Sequence, residues 1–271
     1  MRKILYFALI LILAACTPKK MDYQAVQENE NQLDSITYAL SQATISFETK
    51  KELEEKYNIQ YETVKNSYTQ YLVDNLDKTE AQEILSTSKW TRRLNQEQLE
   101  TVLSKANSEF KETEIYTKYN DRLNNMKTSG PGNVYKDIIS KDTLNNEIKL
   151  SDYIGNGKII LLDFWASWCP PCRAEMPTLV ALHDQYKEEN FEIVGYSLDN
   201  NEEAWKKGIN NLNITWTQMS DLEGWNSSGV LSYVVQSIPC LILIDQEGKI
   251  IARENNWEEM KPAFEALLKK S

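Results

Sequence analysis

The feature that most constrains the fold is a largely apolar segment that ends in two closely spaced cysteines. Residues 158–165 form a run of the kind found in a central strand covered on both faces. The run leads through Ala-Ser-Trp into Cys169-Pro170-Pro171-Cys172, and a helical pattern continues to Tyr186. Proline suits the first turn of a helix, where its missing N–H is not needed. We therefore expect a strand, a turn and a helix, with Cys169 at the helix N-terminus.

That position suits thiol chemistry. Unpaired N–H groups and the helix dipole favour a thiolate at Cys169, whereas Cys172 lies one turn inside and should be shielded. An exposed attacking thiolate and a buried resolving thiol are what disulfide exchange requires. We therefore expect a redox-active Cys169–Cys172 disulfide, with no other cofactor and no metal. A structural disulfide stays open, although so short a loop constrains the unfolded chain little. Zinc would need four ligands, and only Cys240 and His183 could join the pair.

The N-terminus has the pattern of a cleaved export signal. Arg2 and Lys3 precede the apolar run Ile4 to Leu13, which is too short to span a membrane. The run ends in Leu-Ala-Ala-Cys16, which resembles the lipobox of bacterial lipoproteins. The resemblance implies cleavage after residue 15, lipid on Cys16 and a membrane-anchored protein in the cell envelope, facing the periplasm. The alternative is an ordinary secretory signal that contains a cysteine.

The rest of the chain divides into three parts. Residues 16–31 are polar and predict a tether. Residues 32–128 predict an all-helical domain, because no Gly or Pro occurs between Met21 and Ser129 and apolar residues recur at helical spacing. The Gly-Pro-Gly turn at 130–132 then marks a boundary. From 129 to 271 short apolar strands alternate with helices, which predicts an α/β sheet.

The cysteine motif resembles the active site of the thioredoxin superfamily. Cys169 to Pro177 is similar to the extracytoplasmic, membrane-anchored TlpA/ResA-like group, and Ser237-Ile238-Pro239 matches the cis-proline loop of that family. The resemblance implies a thioredoxin-like fold and a cis peptide bond before Pro239. It also implies that Ile238 and Pro239 bind an extended substrate segment, and that Trp168 and Pro170 border it.

Two acids have a predicted role in proton transfer. Asp163 interrupts the apolar strand at the place where thioredoxins carry a buried carboxylate, and Glu175 matches a buried Glu of the ResA-like group. Burial would raise the pKa of either carboxyl and let it accept the proton of Cys172. The alternative for Glu175 is a surface acid that stabilises the helix start. We expect Cys240 to be a small buried residue or a third redox thiol, and His183 to be exposed and chemically idle.

The sequence thus predicts a thiol–disulfide oxidoreductase that reduces, or isomerises, disulfides in exported proteins such as apocytochromes. An upstream electron donor in the membrane would return it to the dithiol state. A net charge of −10 excludes nucleic acid as a partner. Two alternatives stay open: a thiol peroxidase of the peroxiredoxin type, and a non-enzymatic assembly or chaperone lipoprotein.

Overall fold

The computed structural model describes residues 20–42 and 44–269. The predicted signal peptide and the lipid attachment site at Cys16 lie outside the described residues. The chain divides into two compact units, one ending at Leu94 and one beginning at Asn95. Over the described ranges, no helix is both long enough and apolar enough to span a membrane.

The first unit is helical. It contains α1 (Tyr23–Leu40), α2 (Phe47–Asn75) and α3 (Thr79–Thr87), followed by a 3₁₀ turn at Thr91–Arg93. Its buried side chains include Val26, Leu33, Val64, Tyr68 and Leu72. Residues 23–31 are therefore helical, whereas the sequence pattern assigned them to the tether. The Asp22 side chain caps α1 at its first turn, and burial of Val26 fixes that end of the helix.

The second unit begins with three helices and continues as a sheet domain. Its elements are α4 (Gln96–Leu103), α5 (Ser108–Lys111), α6 (Glu114–Thr128), β1 (Ile139–Lys141), β2 (Glu147–Lys149), β3 (Ile159–Trp165), α7 (Pro170–Tyr186), β4 (Phe191–Ser197), α8 (Glu202–Asn211), β5 (Gln218–Met219), α9 (Ser228–Tyr233), β6 (Cys240–Ile244), β7 (Ile250–Glu254) and α10 (Trp257–Leu268). The change from helices to strands follows Thr128, whereas the compact units divide earlier, after Leu94.

The main sheet has the strand order β5-β4-β3-β6-β7. Strand β3 lies at its centre, parallel to β4 and antiparallel to β6. All seven residues of β3 are buried, as expected for a strand covered on both faces. Because β3 and β4 run parallel, their carboxyl ends meet at one edge of the sheet. Helix α7 starts from that edge.

Candidate active site

The cysteine pair lies at the start of α7, as the sequence predicts. Cys169 is the N-cap residue, Pro170 and Pro171 occupy the first turn, and a disulfide joins Cys169 to Cys172. The Cys172 amide donates to Cys169 Sγ at 3.2 Å. The sulfur therefore takes the place that a side-chain oxygen takes at other helix starts, where the N–H groups and the dipole stabilise negative charge.

The predicted exposure of Cys169 is wrong for this disulfide form. Cys169 is 3% exposed and Cys172 is 2% exposed. The reason is a loop that is distant in sequence: the carbonyl oxygen of Ile238 lies 3.8 Å from Cys169 Sγ and covers it. The exposed residues of the motif are instead Trp168, at 51%, Pro170 and Pro171.

The covering loop contains the only cis peptide bond within the described ranges, between Ile238 and Pro239. Pro239 is buried and Ile238 is half-buried, and β6 begins directly afterwards at Cys240. Strand β6 pairs with β3, which brings this loop to the end of the sheet where α7 starts. The structure therefore places Ile238 and Pro239 beside Cys169.

Two carboxyl groups lie on the strand and the helix that flank the pair, Asp163 on β3 and Glu175 on α7. Asp163 on β3 is 1% exposed, and its Oδ2 has no hydrogen-bond partner among the described residues. Burial, together with the charge of Glu175, raises the pKa of Asp163 to about 8. Glu175 Oε1 accepts a hydrogen bond from the Trp257 amide, whereas its buried Oε2 has no partner in the described part of the chain. Burial raises the pKa of Glu175, and the Trp257 hydrogen bond partly opposes this. With a pKa of about 8, Asp163 can hold a proton near neutral pH and release it.

A third acid, Asp199, was not found from the sequence. Asp199, 1% exposed, follows β4 and binds the turn between β3 and α7. Its Oδ2 accepts from the Ser167 amide at 2.9 Å, and its Oδ1 accepts from Ser167 Oγ at 2.6 Å. Ser197 Oγ donates to the same carboxylate at 2.7 Å. Ser167 lies two residues before Cys169, so Asp199 fixes the backbone that leads to the disulfide. The available signal was an acid just after a strand that follows a helix, an order typical of parallel strands in an α/β sheet.

Trp165, Cys240 and His183 have other surroundings. Trp165 is buried and donates from Nε1 to Gln218 Oε1 at 2.8 Å. Cys240 is a free, buried cysteine, and burial raises the pKa of its thiol. The prediction that His183 is exposed is wrong, because α7 turns it towards β4, where its Nε2 lies 2.9 Å from Glu192 Oε1. In the described ranges, no cluster of three or more His, Cys, Asp or Glu side chains could hold a metal ion.

Comparison with known proteins identifies the class. A thioredoxin-like family model matches residues 156–250. A ResA thiol–disulfide oxidoreductase of Bacillus thuringiensis subsp. konkukian is 32% identical over 133 residues, which are 49% of this chain and 73% of that protein. A ResA protein of Oceanobacillus iheyensis is 35% identical over 112 residues, covering 41% of this chain and 56% of that protein. Among solved structures, the thioredoxin domain of a thiol–disulfide oxidoreductase from Bacteroides vulgatus is 33% identical, with a TM-score of 0.47 over 51% of this chain and 97% of that domain.

The protein is therefore a thiol–disulfide oxidoreductase with a thioredoxin-like fold, which confirms the predicted fold and enzyme class. Within this class, the chain belongs to the ResA-like family.

Proposed function

We propose that this enzyme works outside the cytoplasm and reduces, or isomerises, disulfides in exported proteins through Cys169 and Cys172. The observation that carries the proposal is the position of the pair. The two sulfurs lie at a helix N-terminus, and Ile238, in the loop before β6, has its carbonyl oxygen 3.8 Å from Cys169 Sγ. A substrate strand lying along this loop would have its own disulfide next to Cys169.

Reduction proceeds in two exchange steps. In the dithiol form, the Cys169 thiolate attacks one sulfur of the substrate disulfide; a mixed disulfide forms, and the other substrate sulfur leaves as a thiolate that takes up a proton. Cys172 then loses its proton and attacks Cys169 Sγ. The second substrate thiolate leaves and is protonated in turn. Two electrons and two protons have moved to the substrate, and the Cys169–Cys172 disulfide has formed.

In this mechanism, Asp163 and Glu175 accept the proton that Cys172 loses. Glu175 is one helical turn beyond Cys172, and Asp163 lies on the strand that leads to the pair. The raised pKa of Asp163, about 8, makes its carboxylate a stronger base than a surface aspartate. The charge of Glu175 contributes to the raised pKa of Asp163, so we expect the protonation of one acid to affect the other.

The partners follow from this chemistry. The substrate is an extended segment of an exported protein that carries a disulfide, apocytochromes being one such class, and Trp168 and Pro170 present the exposed border that it contacts. A membrane protein with a dithiol would return Cys169 and Cys172 to the reduced state. Lipid on Cys16 would hold the enzyme at the membrane, facing the periplasm. Mass spectrometry of the mature N-terminus tests this anchor, and an unmodified start elsewhere would contradict it.

Trapping of mixed disulfides tests the function. In a Cys240→Ser background, which removes the free thiol, Cys172→Ser should accumulate mixed disulfides with exported proteins, and Cys169→Ser should accumulate essentially none. The matched control carries all three substitutions. Equal trapping by both variants, or by neither, would contradict the assigned roles. Faster oxidation of Cys169 by hydrogen peroxide than by protein disulfides would indicate a peroxidase instead.

A further inference from the structure

A cleft of about 370 Å³ opens beside the cis-proline loop. Its lining includes Ser237, directly before Ile238, and Cys240, directly after Pro239. Since Ile238 contacts Cys169 Sγ and an extended residue spans about 3.3–3.6 Å, a polypeptide crossing the loop would reach the cleft within a few residues of its reacting cysteine. The cleft is therefore placed to read the sequence that flanks a substrate disulfide.

One wall of the cleft carries a fixed positive charge. Arg253 on β7 is partly buried and donates from Nη1 to the Tyr233 carbonyl at 2.6 Å and from Nη2 to the Val234 carbonyl at 3.1 Å. Across residues 20–42 and 44–269, no carboxylate lies within ion-pair distance of this guanidinium. The hydrogen bonds orient Arg253, but their acceptors are neutral and leave its charge unpaired. A guanidinium has five N–H groups, so donors remain for a ligand.

Other residues that line the cleft favour the same kind of ligand. Asn95 and Gln96 line the cleft at the N-terminus of α4, the positive end of the helix dipole. Ser237 and Asn255 add a hydroxyl and an amide that can donate hydrogen bonds. The cleft therefore combines a positive charge with several hydrogen-bond donors, although the whole chain has a net charge of −10. Such a lining is suited to a carboxylate.

We propose that this cleft is a subsite for a carboxylate side chain of the substrate, within a few residues of the reacting cysteine, and that Arg253 anchors it. The proposal rests on the function proposed above and gives it a substrate preference: disulfides flanked by Asp or Glu. A small disulfide with carboxylates, such as glutathione disulfide, offers the same chemistry without a polypeptide, and the experiment distinguishes the two.

The test uses the reduced wild-type protein and three disulfide peptides that differ only in carrying Glu, Gln or Lys at the flanking position. We expect kcat/KM to fall about tenfold from Glu to Gln and further to Lys, mainly through KM, because the subsite binds ground and transition states alike. Added salt should reduce the difference. Arg253→Gln should abolish the preference and Arg253→Lys should retain part of it. Lys261→Gln on α10, which removes the same charge outside the cleft, should change nothing.

Equal kcat/KM for the Glu and Gln peptides with wild-type protein would overturn the proposal, whatever the folding of the Arg253 variants. A preference that persists in Arg253→Gln would overturn the role of Arg253. If glutathione disulfide depends on Arg253 and the peptides do not, the carboxylate belongs to a small disulfide and the polypeptide assignment is wrong. Failure of the proposed function itself would look different, since wild-type protein would then reduce none of the peptides.

Discussion

Replacing Asp163 by Asn should remove a pH dependence from the stability of the sheet domain. Burial raises the pKa of Asp163 from 3.8 to about 8, so the folded chain holds a proton that the unfolded chain releases. The protonated carboxyl stabilises the folded state fully below about pH 4, where the folded and unfolded chains both hold the proton. This stabilisation is lost progressively as the pH rises to about 8, because only the unfolded chain releases the proton over that range. One pKa unit corresponds to about 1.4 kcal/mol, so wild-type protein should lose on the order of 4 kcal/mol between about pH 5 and pH 8 from this group.

The measurement is equilibrium urea unfolding of the oxidised protein at about pH 5 and pH 8. Each unfolding sample is then labelled by a hydrogen-exchange pulse at one common pH. The deuterium uptake of peptides that contain β3 reports on the unfolding of the sheet domain by itself. Asp163→Asn keeps the size of the side chain and has no carboxyl to titrate, so its stability should change much less over this range. Glu188→Gln, at an exposed position on the segment after α7, is the matched control and should behave like wild type.

The quantity compared is the change in the free energy of unfolding between the two pH values. Its absolute value is not compared, because the amide introduced by Asp163→Asn brings its own unmatched hydrogen-bonding groups and could shift it. If wild type and Asp163→Asn lose the same free energy between the two pH values, Asp163 is not protonated in the folded protein. Asp163 would then not serve as a base near neutral pH either.

Two further predictions concern rates and the turn before Cys169. Glu175→Gln should slow the resolving step by on the order of 10²-fold, and the double variant with Asp163→Asn should be slower still. Stopped-flow Trp fluorescence across pH measures the rates of both variants. Wild-type rates in the double variant would exclude both acids as the base. Asp199→Asn should lower the free energy of unfolding by about 1–3 kcal/mol and shift the pKa of the Cys169 thiol. Ser167→Ala removes one hydrogen bond and keeps the carboxylate, so it should have the smaller effect on both quantities. Urea unfolding measures the first quantity, and thiol alkylation rates against pH measure the second.

What the sequence predicted well was local. The strand, turn and helix around Cys169 follow from an apolar run and two prolines, which act within one or two turns. The capping box at the start of α4 is local in the same way, because Asn95 and Gln98 are three residues apart and each binds the backbone N–H of the other. The cis peptide bond before Pro239 was expected only through a family resemblance, because no local rule demands it.

What the sequence missed depends on pairs that are far apart along the chain. The burial of Cys169 is caused by Ile238, and the burial of His183 by Glu192 and Trp216. Asp199 is significant only because β4 lies parallel to β3, which brings its carboxylate to the Ser167 turn. The start of α1 was obscured because few apolar residues occur between 23 and 31, and helices in proteins depend more on packing than on propensity.

Asp163 and Glu175 bear on both the stability of the fold and its chemistry. Two carboxyl oxygens, Asp163 Oδ2 and Glu175 Oε2, are buried without a hydrogen-bond partner among the described residues. Each such group typically costs about 1–3 kcal/mol, which an apolar side chain at the same place would avoid. A group that destabilises the fold and lies on β3 or α7, the two elements that flank the disulfide, is more readily explained by a chemical role than by packing. The same desolvation that makes Asp163 costly also raises its pKa to about 8, and under the proposed mechanism this shift would fit it to take a proton from Cys172.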